Sequence, residues 1–139
     1  MLNVIVLVSA TILATSDRAD ESSPRCEGNA EVVGSCFVVH GRLRAGNGNP
    51  TQRIWRIGTK RILGIREEFA IPKKIEGLVT WATGATLYGD FEVCPLTHER
   101  AGHMQIVCVE DARNLVLEDA SGGVRKLRWS WSVGERDGN

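Results

Sequence analysis

Residues 37–67 read FVVHGRLRAGNGNPTQRIWRIGTKRILGIRE, and this stretch decides the fold. Within Phe37–Arg44, the side chains of Phe37, Val39 and Leu43 fall on one face. Val38, His40, Arg42 and Arg44 fall on the other, which is the period-two pattern of a half-buried strand. Gly46-Asn47-Gly48-Asn49-Pro50 then reads as a turn, because Asn-Gly accepts positive φ and Pro50 lacks the N–H that a continuing strand needs. Thr51–Ile57 returns as a second strand. Gly58-Thr59 turns again, and Lys60–Glu67 forms a third. The result is a three-stranded meander.

Downstream, Pro72 lies in IPKKIEGLVTWATG, where Ile75, Leu78, Val79 and Ala82 recur at helical spacing and Gly84 is placed to end the helix. Gly77 and Thr80 weaken that helix. Leu87, Phe91 and Val93 alternate with Tyr88, Asp90 and Glu92 in a further strand, and Pro95–Gly102 is a polar loop. Met104–Val109 and Leu115–Leu117 read as two more strands, followed by a turn over Asp119–Gly123. Val124–Val133 closes the pattern, with Leu127, Trp129, Trp131 and Val133 on one face. Three strands, a short helix and then more strands predict an all-β fold, namely a small Greek-key barrel of the OB type or else a β-sandwich.

The chain has 139 residues and carries 17 basic against 17 acidic side chains, so its formal net charge is zero. That balance excludes a uniformly basic nucleic-acid binder and an acidic disordered tail. Hydrophobic residues make up 42% of the chain, enough for one globular core. Residues 2–14, LNVIVLVSATILA, form an uncharged run of 13. A membrane span needs about 20 residues, whereas the apolar part of a secretory signal runs about 7–15. Small residues at 14–16 place cleavage before Asp17, although no basic residue precedes the run. The expected organisation is a signal peptide at 1–16, a polar flexible leader at 17–30, one β domain at 31–134 and a tail at 135–139.

An exported chain keeps its cysteines oxidised, and Cys26, Cys36, Cys94 and Cys108 then form two disulfides. Three pairings are open. Proximity along the chain favours Cys26–Cys36 and Cys94–Cys108. A zinc site is the rival reading, but no Cys-x(2–4)-Cys knuckle is present.

Charge is uneven along the chain. Residues 42–74 hold nine basic and two acidic side chains, and residues 76–119 hold eight acidic and two basic. Arg42, Arg44, Arg53, Trp55, Arg56, Lys60 and Arg61 thus form the candidate binding surface, with guanidinium groups to neutralise anions and an indole to stack. Pairing of basic strands with acidic ones across the sheet is the plainer use of the same charges. An exported protein meets little nucleic acid, so the expected partner is a polyanionic glycan, a lipid headgroup or an envelope protein. His98 and His103, with Asp90, are the candidate metal ligands for a small hydrolase or other metal-dependent enzyme, though their spacing matches no specific ligand pattern. His40 is expected on a solvated sheet face. Trp129 and Trp131 are expected in the core, with a sugar-stacking platform as the alternative. No Gly-x-Ser-x-Gly elbow and no phosphate-binding Gly-x-x-x-x-Gly-Lys loop occurs, so no cofactor is expected and catalysis is not the favoured reading.

His40-Gly41-Arg42-Leu43, Asn47-Gly48-Asn49-Pro50, Arg53-Ile54-Trp55, Gly89-Asp90-Phe91, Cys94-Pro95-Leu96 and Gly102-His103-Met104 lie within about Cys36–Val116. In these points the chain resembles small exported proteins of Gram-negative bacteria, a family with no assigned activity. The resemblance implies export to the periplasm and brings no catalytic residue.

Overall fold

The computed structural model describes residues 26–66, 73–128 and 131–132. The expected signal peptide, residues 17–25 of the leader, Glu67, Trp129, Val133 and the tail lie outside the described residues. The elements are β1 (Phe37–Ala45), β2 (Gln52–Arg56), β3 (Ile62–Ile65), α1 (Lys73–Leu78), β4 (Thr86–Pro95), β5 (Gln105–Glu118), β6 (Val124–Lys126) and β7 (Trp131–Ser132).

The first five strands close into a barrel. β1 pairs antiparallel with β2 and β4, β2 pairs with β3, and β4 pairs with β5. The ring is shut by a parallel pairing in which Leu63, Gly64 and Ile65 of β3 meet Gln105, Ile106 and Val107 of β5. The short helix lies between β3 and β4. This is the small OB-like barrel expected from the strand order, and closure leaves the five-stranded ring without a free edge. β6 and β7 pair with β5 off the ring.

β1 belongs to both halves of the barrel. Its residues 37–43 pair with β4 and its residues 41–45 pair with β2. The two ladders overlap over residues 41–43, and Gly41 faces Gly89 on β4. A Cβ at Gly41 would sit 2.5 Å from Ile54 Cγ2 and 3.0 Å from the Trp55 carbonyl oxygen. One at Gly89 would sit 2.7 Å from Leu115 Cδ2. Both glycines are there because neighbouring strands close over them.

The core is built from alternate residues of each strand, among them Val39, Leu43, Ile54, Leu63, Leu87, Phe91, Val93, Val107 and Leu115. Ile75 and Val79, one helical turn apart, are fully buried in the same cluster. Gln52 Nε2 donates to the Val79 carbonyl at 3.1 Å and ties the helix end to β2. The helix is shorter than the Pro72–Gly84 pattern suggests. Thr83 Oγ1 donates to the Leu78 carbonyl at 2.9 Å and accepts from Thr80 N at 3.0 Å, turning the chain out of the helix.

β5 departs most from the sequence expectation. It is one 14-residue strand where two short ones were expected, and it carries two bulges. Asn114 and Leu115 together oppose Gly89, and Glu110 is an extra residue between Val109 and Asp111. Each bulge shifts the side-chain alternation by one, so the period-two signal breaks twice. The expected long strand Val124–Val133 is instead the short β6 and β7.

The cysteine pairing favoured by chain proximity is overturned. Cys26 bonds Cys108, and Cys36 bonds Cys94. The bonds are long-range because residues 26–36 form a strap over the outer side of β4 and β5. Cys26, Cys94, Leu96 and Cys108 are buried there in a second small cluster, with Val32, Cys36 and Ile106 packed against it. Cys26, within the stretch expected as a leader, is fully buried and bonded to β5.

Candidate functional site

The alternation of β1 and β2 puts Arg42, Arg44 and Trp55 on the outer face of the barrel. Arg42 stands opposite Trp55 on one side and Tyr88 of β4 on the other. Its guanidinium carbon lies 5.9 Å from the Trp55 ring centroid, within cation–π range. Arg44 is exposed and stands opposite Arg53.

Two arginines directly opposed would repel, but the structure separates their roles. Arg53 Nε donates to the Pro50 carbonyl at 3.1 Å, and its Nη2 donates to the Asn47 carbonyl. Arg53 is thus a brace for the β1–β2 turn. Arg61 is likewise engaged. Its Nη1 pairs with Glu99 at 3.1 Å, its Nη2 donates to Gln105 Oε1, and its guanidinium lies over the Phe37 ring. Arg56 and Lys60 are exposed around the β2–β3 turn. Among the described residues, Arg42, Arg44, Arg56 and Lys60 have no carboxylate partner. Of the seven candidates, two fasten the barrel and five remain presented to solvent or half-exposed. The sequence could not separate them, because an arginine bonded to carbonyls of its own turn looks like any other basic residue in a strand.

One register step along the same face lies a polar cluster that sequence reasoning missed. His40 and Asp90 are cross-strand partners, with Nδ1 of His40 2.8 Å from Oδ1 of Asp90. Asn114 Nδ2 donates to the other oxygen of Asp90 at 2.8 Å. The β5 bulge aims that amide, and Asn114 holds a left-handed φ of 53° to do so. The Asn114 hydrogen bond and then that of His40 hold the Asp90 carboxyl below the usual carboxylate value. With a carboxylate at Nδ1, the neutral imidazole carries its proton there and leaves Nε2 as an acceptor. The alternation of β1 and β4 points His40 and Asp90 outward, but only the register reveals that they meet.

No family model, curated protein or solved structure matches the chain. The site's chemistry therefore rests on its own residues.

The candidate metal ligands do not converge. Asp90 is engaged by His40 and Asn114, while His98 and His103 are exposed in the loop between β4 and β5. Among the described residues, no three His, Cys, Asp or Glu groups are placed to hold a metal ion. Trp129 lies outside the described residues, and for Trp131 the described feature is its backbone pairing with Ala112 of β5. The outer face of β1, β2 and β4 thus offers an indole, a phenol, two guanidinium groups and an oriented imidazole. Aromatic rings are groups that stack on planar or sugar-like faces, and guanidinium groups are ones that neutralise anions.

Proposed function

We propose that the protein is an exported, non-catalytic binding domain whose β1–β2 face takes an anionic glycan of the cell envelope. The observation that carries this reading is Arg42 lying over Trp55, with Arg44 beside it and neither arginine bound to a carboxylate among the described residues. Guanidinium groups already neutralised within the fold would offer an anion little; among the described residues these two give no hydrogen bond to a carboxylate and keep their N–H groups for a ligand. Two disulfides support an oxidising compartment, since such bonds persist outside the reducing cytosol. The uncharged apolar run at 2–14 supports export through a cleaved signal.

The test is binding of a sulfated oligosaccharide against its unsulfated counterpart, measured by calorimetry. The Arg42→Glu, Arg44→Glu variant is expected to lose about tenfold or more in affinity for the sulfated probe, which corresponds to about 1.4 kcal/mol. Its thermal midpoint should stay close to the parent's, because both side chains are exposed. Equal affinities of variant and parent would overturn the assignment of this face. For export, the chain recovered from its native host is expected to start at Asp17 and to contain both disulfides. A chain recovered with residues 1–16 attached and free thiols would refute that part.

A further inference from the structure

Three of the four cysteines lie in a row across adjacent strands. Cys36 immediately precedes β1 and is bonded to Cys94 of β4, with their Cα atoms 4.1 Å apart. Cys94 in turn stands directly opposite Cys108 of β5. Opposed residues of an antiparallel pair have Cα atoms about 4.5–5.5 Å apart, inside the range a disulfide bridges. Cys94 therefore has a bonding partner on each side, and Cys108 is already oxidised through Cys26. Cys26, Cys94 and Cys108 are fully buried, while Cys36 is half-exposed at the end of the strap.

We propose that the Cys36–Cys94 disulfide is a reactive site for an external thiol, and that attack there shuttles the protein into a second disulfide isomer. The thiolate of a small thiol or of a dithiol oxidoreductase attacks Sγ of Cys36. The S–S bond to Cys94 breaks and leaves Cys94 as a thiolate. Cys94 then attacks Sγ of Cys108, forming Cys94–Cys108 and releasing Cys26 as a thiolate. Cys26 attacks Sγ of Cys36 in the mixed disulfide, forms Cys26–Cys36 and expels the external thiolate. The sequence begins and ends with two disulfides and one external thiolate, so it consumes no oxidant.

In the second isomer the barrel carries its own staple across β4 and β5, and the strap is cross-linked only to itself. What then holds the strap is the packing of Val32 against the small apolar cluster and a handful of polar contacts. Glu110 accepts from the backbone N of Cys26 at 2.8 Å and of Glu27 at 3.2 Å, Val33 N donates to the Pro95 carbonyl at 2.9 Å, and Arg66 pairs with Glu31 at 2.8 Å. Opening the strap bares Leu96 and Ile106 on the outside of the barrel. This device is separate from the arginine–tryptophan face and does not rest on the glycan reading.

The decisive experiment uses the full chain with Cys36→Ser, oxidised, alkylated and mapped without reduction. The Cys94 thiol of this variant lies beside the Cys26–Cys108 bond from the start. The alkyl label is expected on Cys26 several-fold over Cys94, with a Cys94–Cys108 peptide recovered. Label confined to Cys94, with Cys26–Cys108 intact, would overturn the proposal. The parent protein treated with substoichiometric glutathione gives an independent reading should the variant fail to fold. Appearance of the Cys94–Cys108 peptide supports the exchange, and reduction to free thiols without that peptide refutes it.

Discussion

Removing the inner disulfide through Cys36→Ala with Cys94→Ala is expected to destabilise the protein by less than its loop length suggests. The bonds are nested, with Cys36–Cys94 spanning 58 residues inside the 82 spanned by Cys26–Cys108. Taken alone, loop-closure entropy assigns them about 4.2 and about 4.5 kcal/mol. With the outer bond intact, however, positions 36 and 94 remain joined through it by the 24 residues by which the two spans differ. Paths of 58 and 24 residues in parallel restrain the unfolded chain like one loop of roughly 17 residues. The inner bond then contributes about 3 kcal/mol, and by the same argument the outer one contributes about 3.5 kcal/mol when the inner is present. Loss of both should reach about 7.6 kcal/mol, roughly 1 kcal/mol more than the two separate losses together. Urea unfolding of the two double-alanine variants and of the quadruple variant measures this directly. The dependence on urea should also steepen as cross-links are removed, because the unfolded chain expands. A quadruple variant no less stable than the separate losses predict, with an unchanged urea dependence, would refute the chain-entropy account.

Gly41→Ala is expected to lose about 2 kcal/mol, since the new methyl group would lie 2.5 Å from Ile54 Cγ2; a thermal midpoint within a degree of the parent's would count against the close approach. Phe91→Ala should lose about 3–5 kcal/mol in the same assay, because Phe91 is fully buried at the barrel centre. Asn114→Ala removes the amide that holds Asp90 and leaves at φ 53° a residue that tolerates the left-handed region less well than Asn or Gly, so it should destabilise more than Asn114→Gly; equal losses would mean the backbone conformation is without consequence. The folded-state pKa of Asp90 is lowered, so its contribution is present above the unfolded value near 3.8 and is lost as pH falls through the folded value. Asp90→Asn should therefore reduce the drop in stability between neutral pH and about pH 2.5, and an unchanged drop would remove Asp90 from the acid response.

Much of the barrel was legible because β1, β2 and β4 alternate cleanly and their turns carry Gly, Asn and Pro. β5 was not legible as one strand, because Glu110 and Asn114 each slip the alternation and EDARN, at 110–114, has no large apolar side chain. The cysteine pairing was hidden for a related reason. Chain proximity is a guide where a disulfide closes a hairpin, but here a strap crosses strands that are distant in sequence. Along the arginine-rich meander, residue type identified the candidates and only geometry sorted them. Arg53 and Arg61 are held by carbonyl, amide and carboxylate oxygens, and Arg42 is held by an aromatic face. The His40–Asp90–Asn114 cluster needed both the β1–β4 register and a bulge, and local sequence encodes neither.

β5 is the partner of β3, β4, β6 and β7 alike. A chain that emerges from its point of synthesis N-terminus first has β1, β2 and β3 available long before Gln105 follows. During that interval the meander has nothing to close against, and its outer strands present unpaired backbone groups of the kind that recruit neighbouring chains. Both disulfides wait as well, since each needs a cysteine from β4 or β5. The parallel seam between β3 and β5 thus sets a period of vulnerability during biogenesis, whose length is fixed by the thirty-nine residues between Ile65 and Gln105 rather than by the stability of the finished barrel.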